Sequence, residues 1–177
     1  MAKSAAIKFS PQENSVSEDS DMLTISDDEK DSDFIYHVIR NFGQSLLHGN
    51  QYIYQSMPRL LSLWLEYGTQ VADYEKQDKQ KPQISQRLQT MRNTLGKLNR
   101  LISNFGRELA PYQLFTAYPQ LISRICHAQS DVFQHLKDIV ARIFVHFPKQ
   151  SLWMMMAVSK SSYSMRVKRC QDIFAEA

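Results

Sequence analysis

From Phe34 onward, apolar residues recur at intervals of three and four, the period of an α-helix with one buried face. Phe34, Ile35, Val38, Ile39, Phe42 and Leu46 form a first stripe, and His48-Gly49-Asn50 is a stop signal after it. Ile53, Met57, Leu60, Leu61, Trp64, Leu65 and Val71 form a second. Pro58 lies within it, so this helix either starts near Pro58 or bends there, because proline lacks the backbone donor and crowds the preceding turn. Glu75 to Gln83 is polar and reads as an exposed loop. Leu88, Met91, Leu95, Leu98, Ile102 and Phe105 form a third stripe. A fourth opens at Pro111 and carries Leu114, Phe115, Tyr118, Leu121, Ile122 and Ile125, with Pro119 placed to split it. Ser130 is the expected N-cap of a fifth, which shows Val132, Phe133, Leu136, Ile139, Val140, Ile143 and Phe144. Pro148 starts the sixth, and the seventh begins near Ser162 with Met165, Cys170, Ile173 and Phe174.

No stretch alternates long enough to predict a strand, so residues 34–177 are read as an all-α body of about seven helices. Short connections make successive helices antiparallel neighbours. A closed bundle and an α-solenoid of degenerate helix pairs both satisfy this pattern, and no strict repeat period is present.

The sixth helix breaks the one-faced pattern. Leu152, Trp153, Met154, Met155, Met156, Ala157 and Val158 are apolar without interruption, and Ser, Lys and Arg follow at once. Successive helical positions lie about 100° apart, so this run covers the whole circumference. Such a helix is expected to be buried on all sides, by its own chain alone or by its own chain and a partner. Methionine suits irregular partner surfaces. Trp153, Met154, Met155 and Met156, with the basic Lys160, Arg166 and Arg169 beyond them, are therefore the candidate interface. Full burial of Trp153 would make Trp153→Ala cost about 3–5 kcal/mol.

Composition narrows the class. The longest apolar run of the 177 residues is far short of the roughly 20 needed to cross a bilayer, and the N-terminus lacks the apolar stretch of a secretory signal. Two cysteines, Cys126 and Cys170, are too few for a disulfide scaffold, and reduced thiols are expected. The net charge of +3 hides a division. Residues 1–33 hold nine acids and three bases, and the rest of the chain holds nine acids and 18 bases. Residues 1–33 are also Ser-rich and poor in large apolar groups, so they are expected to be a disordered acidic tail. The tail can fold back on the basic body in a salt-screened contact. Ser26, followed by three acids, has the form of an acid-directed phosphorylation site, and Leu23-Thr24-Ile25 between acids also suits addition to a partner's sheet edge. Thr69-Gln70 and Ser85-Gln86 are dipeptides of the kind checkpoint kinases phosphorylate, and Ser85 is the better candidate because its loop is exposed.

Little here supports catalysis. Cys126 and His127, with His135 and His146, match no zinc spacing, and Asp131 and Asp138 belong to a solvated face. Glycine-rich phosphate loops and nucleophile elbows are missing. No catalytic, cofactor or metal-binding residue is expected. Of Lys160, Arg166, Lys168 and Arg169, only Arg166 and Arg169 share a helix face, so direct nucleic-acid binding is not expected either.

Four ordered blocks add a resemblance. Asn50 to Thr69, Met91 to Ile102, Tyr112 to His127 and Trp153 to Cys170 resemble the C-terminal part of the FAT domain in ATR-type kinases, a branch of the phosphatidylinositol-3-kinase-related protein kinases. The segments Pro119 to Arg124 and Pro148 to Ser161 resemble the wider family, and "ISRICH" and "WMMMAVSKSSYSMRVKRC" resemble the ATR branch. The resemblance implies an α-solenoid that curls around a kinase domain, a nuclear role in DNA damage and replication stress signalling, and association with the ATR-interacting protein and homodimerisation of the parent. ATP and Mg would belong to the parent's kinase domain. Residues 1–33 resemble nothing in the family, the Gln70–Gln89 segment looks longer than its counterpart, and the kinase motifs are absent from this sequence. The chain is thus expected to be a non-catalytic scaffold segment, residues 34–177 being its FAT-type body. The alternative is a stand-alone helical adaptor with a phosphorylatable acidic tail.

Overall fold

The computed structural model describes residues 27–78 and 86–177. Ser26 and Ser85, the two candidate phosphorylation sites, lie outside these residues. Among the described residues there are eight helices and no strand: α1 (Asp27–His48), α2 (Ile53–Asp78), α3 (Gln86–Glu108), α4 (Pro111–Phe115), α5 (Tyr118–Ser123), α6 (Ser130–His146), α7 (Pro148–Ser159) and α8 (Ser164–Glu176). The extra helix relative to the sequence pattern comes from Pro119, which starts α5 after the Thr116-Ala117 break. α1, α2 and α3 pack on one another, α3 hands over to α6, and α6, α7 and α8 form a second layer. This is an all-α solenoid.

The second and third stripes are buried at every position, with Trp64, Leu65, Leu98 and Ile102 among the most enclosed side chains. Inside this layer the Trp64 indole N–H donates to Asn99 Oδ1 at 2.8 Å, which satisfies the two polar groups the core cannot leave unpaired. Gly43 of α1 meets the Phe105 ring of α3, and a Cβ built there would lie 2.0 Å from Phe105 Cε2. Only glycine permits that approach.

His127 ties the α5–α6 turn to α2. Its Nδ1 accepts the Gln129 backbone N–H at 3.1 Å, so its Nε2–H is free to donate to the Leu65 carbonyl at 2.9 Å. The sequence neighbours Cys126 and His127 therefore serve packing, and among the described residues no His, Cys, Asp and Glu group is arranged to hold a metal ion.

Several boundaries differ from the sequence expectations. α1 starts at Asp27, so the helical body begins before Phe34. Phe34 itself is exposed. α2 continues through Glu75 to Asp78 instead of giving way to a loop, and Glu75 pairs with Arg92 of α3 at 2.8 Å. Pro58 falls in the second turn of α2, not at its start, and its carbonyl accepts from Gln120 Nε2 at 3.2 Å. The cap of α6 is Gln129, whose side chain accepts from the Asp131 N–H, and Ser130 is the first helical residue.

Candidate interaction face

α7 rests on α6 and α8 by one side only. Proline at its first turn costs no helical hydrogen bond, and the helix ends where the Lys160 N–H reaches the Met156 carbonyl. Ser151 and Met155, one turn apart, are its buried residues. The Tyr118 hydroxyl of α5 points at the Ser151 carbonyl from 3.5 Å. Burial pushes the Tyr118 hydroxyl up to about 12, a rise that the bond to Ser151 offsets only in part. Burial likewise raises the Cys170 thiol on α8.

Burial of α7 on all sides by its own chain alone is overturned. Trp153 lies about 160° around the helix from Met155 and is 76% exposed. Met156 and Leu152 lie beside it at 50% and 48% exposure. The α6–α8 platform is too narrow to wrap a helix, so only one side of α7 finds cover within the described residues.

The predicted interface residues divide accordingly. Trp153, Met156 and Lys160 share the outer side of α7, joined by Leu152, which the sequence reading left out. Met155 belongs to the core, and Met154 is half-buried against it. Arg166 is exposed on α8. Arg169 is turned onto α6, its guanidinium carbon 3.5 Å from the centre of the Phe133 ring, and it is a packing residue. Beside it, Lys137 of α6 pairs with Glu176 of α8 at 2.6 Å.

A second feature went unnoticed in the sequence. α3 carries Arg87, Arg92, Lys97, Arg100 and Arg107, and its sole acid is the terminal Glu108. With α1 it encloses a groove of about 490 Å³ lined by His37, Lys97, Arg100 and Asn104, with Asp33 at its edge. The signal in the sequence is the one-signed charge of a single helix.

Stacked helices with an uncovered apolar side on α7 define an all-α solenoid segment. Residues 97–177 match the family model described as serine/threonine-protein kinase ATR-like, HEAT repeats. The chain belongs to this HEAT-repeat family of ATR-like kinases. The parent family is the one the sequence resemblance indicated, with the segment described by its HEAT repeats rather than as FAT. The chain is 32% identical over 145 residues to the serine/threonine-protein kinase ATR of Drosophila melanogaster, an alignment covering 82% of this chain and 5% of that protein. It is 31% identical over 141 residues to the protein kinase rad3 of Schizosaccharomyces pombe, covering 80% of this chain and 6% of the relative. Against the ATR kinase of Oryza sativa subsp. indica it is 35% identical over 157 residues, 88% of this chain and 5% of the relative. The chain thus spans only about one-twentieth of the length of these relatives. No solved structure gives a significant match.

Proposed function

We propose that this chain is a non-catalytic scaffold segment of an ATR-type serine/threonine kinase, and that the outer side of α7 packs on the kinase domain. The observation that carries the reading is Trp153, exposed opposite the buried Met155 with the exposed Met156 and Leu152 beside it on the helix surface. Covering a side chain of this size contributes about 1.5–3 kcal/mol, and solvent-facing tryptophan is a frequent anchor of protein interfaces. In this reading the segment needs no nucleotide or metal of its own, and ATP and Mg are held by the kinase domain. Its setting is the nucleus, in the DNA damage and replication stress checkpoint, with the ATR-interacting protein and a second kinase copy as partners of the parent.

The test is binding of the purified chain to the catalytic domain of an ATR-type kinase, followed by calorimetry. Trp153→Asp combined with Met156→Asp is expected to abolish binding while leaving the thermal midpoint of the free chain unchanged. Binding by the double variant equal to that of the parent sequence, or no binding by either, overturns the proposal.

A further inference from the structure

We infer that the α1–α3 groove is a docking site for the chain's own acidic segment, residues 9–26. Neither Lys97 nor Arg100 has a carboxylate partner among the described residues, although Arg92 on the same helix is paired with Glu75. The two bases are one turn apart on α3, and His37 faces them from α1. Tyr36 and Leu101 are half-buried against the core beside them. The groove therefore combines unneutralised positive charge with an apolar floor. Among the described residues its one lining carboxylate is Asp33.

Residues 9–26 supply the complement. They contain Glu13, Glu18, Asp19 and Asp21 and no Lys, Arg or His. Met22, Leu23 and Ile25 follow the acids and suit the Tyr36–Leu101 floor. The segment enters α1 directly at Asp27, and the groove begins at Asp33 on the same helix. The residues from Asp21 to Ser26, at about 3.3–3.6 Å each, span roughly 20 Å when extended. Asp21, Asp19 and Glu18 thus reach Lys97 and Arg100 without moving any helix. Attachment to α1 keeps the acids near the groove at a high effective concentration, and ionic strength weakens the contact. This inference does not depend on the kinase-domain reading of α7.

A carbodiimide, which condenses an amine with a touching carboxylate, tests it on the full chain. A mixture of isotopically heavy and light chains separates intrachain from interchain products by mass. The expected product joins Lys97 to Glu18, Asp19 or Asp21 within one chain. It is expected to fall several-fold at high salt and in Arg100→Glu, which keeps Lys97 and, by circular dichroism, the helical fold. Products that are mainly heavy–light hybrids overturn the inference in favour of a second copy as occupant. Lys97 joined only to Asp33, or to no carboxylate, overturns it outright.

Discussion

Trp64 and Asn99 are buried partners across the α2–α3 contact, joined side chain to side chain by a 2.8 Å hydrogen bond. Asn99→Leu leaves the indole N–H without an acceptor and is expected to cost about 1–3 kcal/mol, read from the urea midpoint. Trp64→Phe combined with Asn99→Leu removes both polar groups and should recover part of that loss. Equal stability of the single variant and the parent sequence would show that the bond is dispensable.

Gly43 sets the spacing of α1 on α3. Gly43→Ala puts a methyl group into the Phe105 ring, and overpacking of this kind costs about 1–3 kcal/mol. Phe105→Leu makes room, so the two substitutions together should be less damaging than their separate effects added. Strict additivity in thermal melts would contradict the contact.

Met155 and Trp153 separate stability from interaction on one helix. Met155→Ala is expected to destabilise the chain by about 2–5 kcal/mol. Trp153→Ala, at an exposed position, is expected to change stability by no more than about 0.5 kcal/mol, in contrast to the large cost that full burial would have imposed. Chemical denaturation of both variants measures the difference, and a large loss in Trp153→Ala would mean that the side chain is covered within the chain.

Tyr118 gives the fold an alkaline weakness. Its hydroxyl titrates near 12 in the folded state and near 10 when unfolded. Between those values the unfolded chain has released its proton and the folded chain has not, so unfolding is favoured as pH rises. Below pH 10 both states are protonated and the effect vanishes. Stability is expected to fall from about pH 10 towards 12, with Cys170 adding to the decline in the same direction. Tyr118→Phe should flatten the slope while keeping the ring packing, and an unchanged profile would assign the alkaline loss elsewhere.

Much of this was readable along the chain because helical burial writes a period into sequence. The stripes of α2 and α3 are buried residue for residue, and Pro119 divides its helix as expected. The start of α1 was missed because Asp27 to Asp33 has no apolar period. Its signal is Ser26 with Glu29 three positions on, a capping-box spacing, and acids in the first turn that suit the helix dipole. The last turns of α2 carry the Glu75–Arg92 pair to α3, a contact between helices that no local pattern displays. For α7, composition reports how apolar a helix is but not how many neighbours surround it. That number is a property of the stack, and it decides that Met155 is core and Trp153 is surface.

The one-sided seating of α7 also has a kinetic meaning. With only Ser151 and Met155 fully enclosed, its backbone amides are guarded by few side chains, whereas those of α2 and α3 lie beneath continuous buried rows. Segments with little enclosed surface open at low free energy. Among the longer helices of the described residues, those of the α7–α8 hairpin are thus expected to exchange their amides with solvent deuterium sooner than α2 and α3, and a partner that settles on Trp153 would announce itself by slowing that exchange along the whole hairpin.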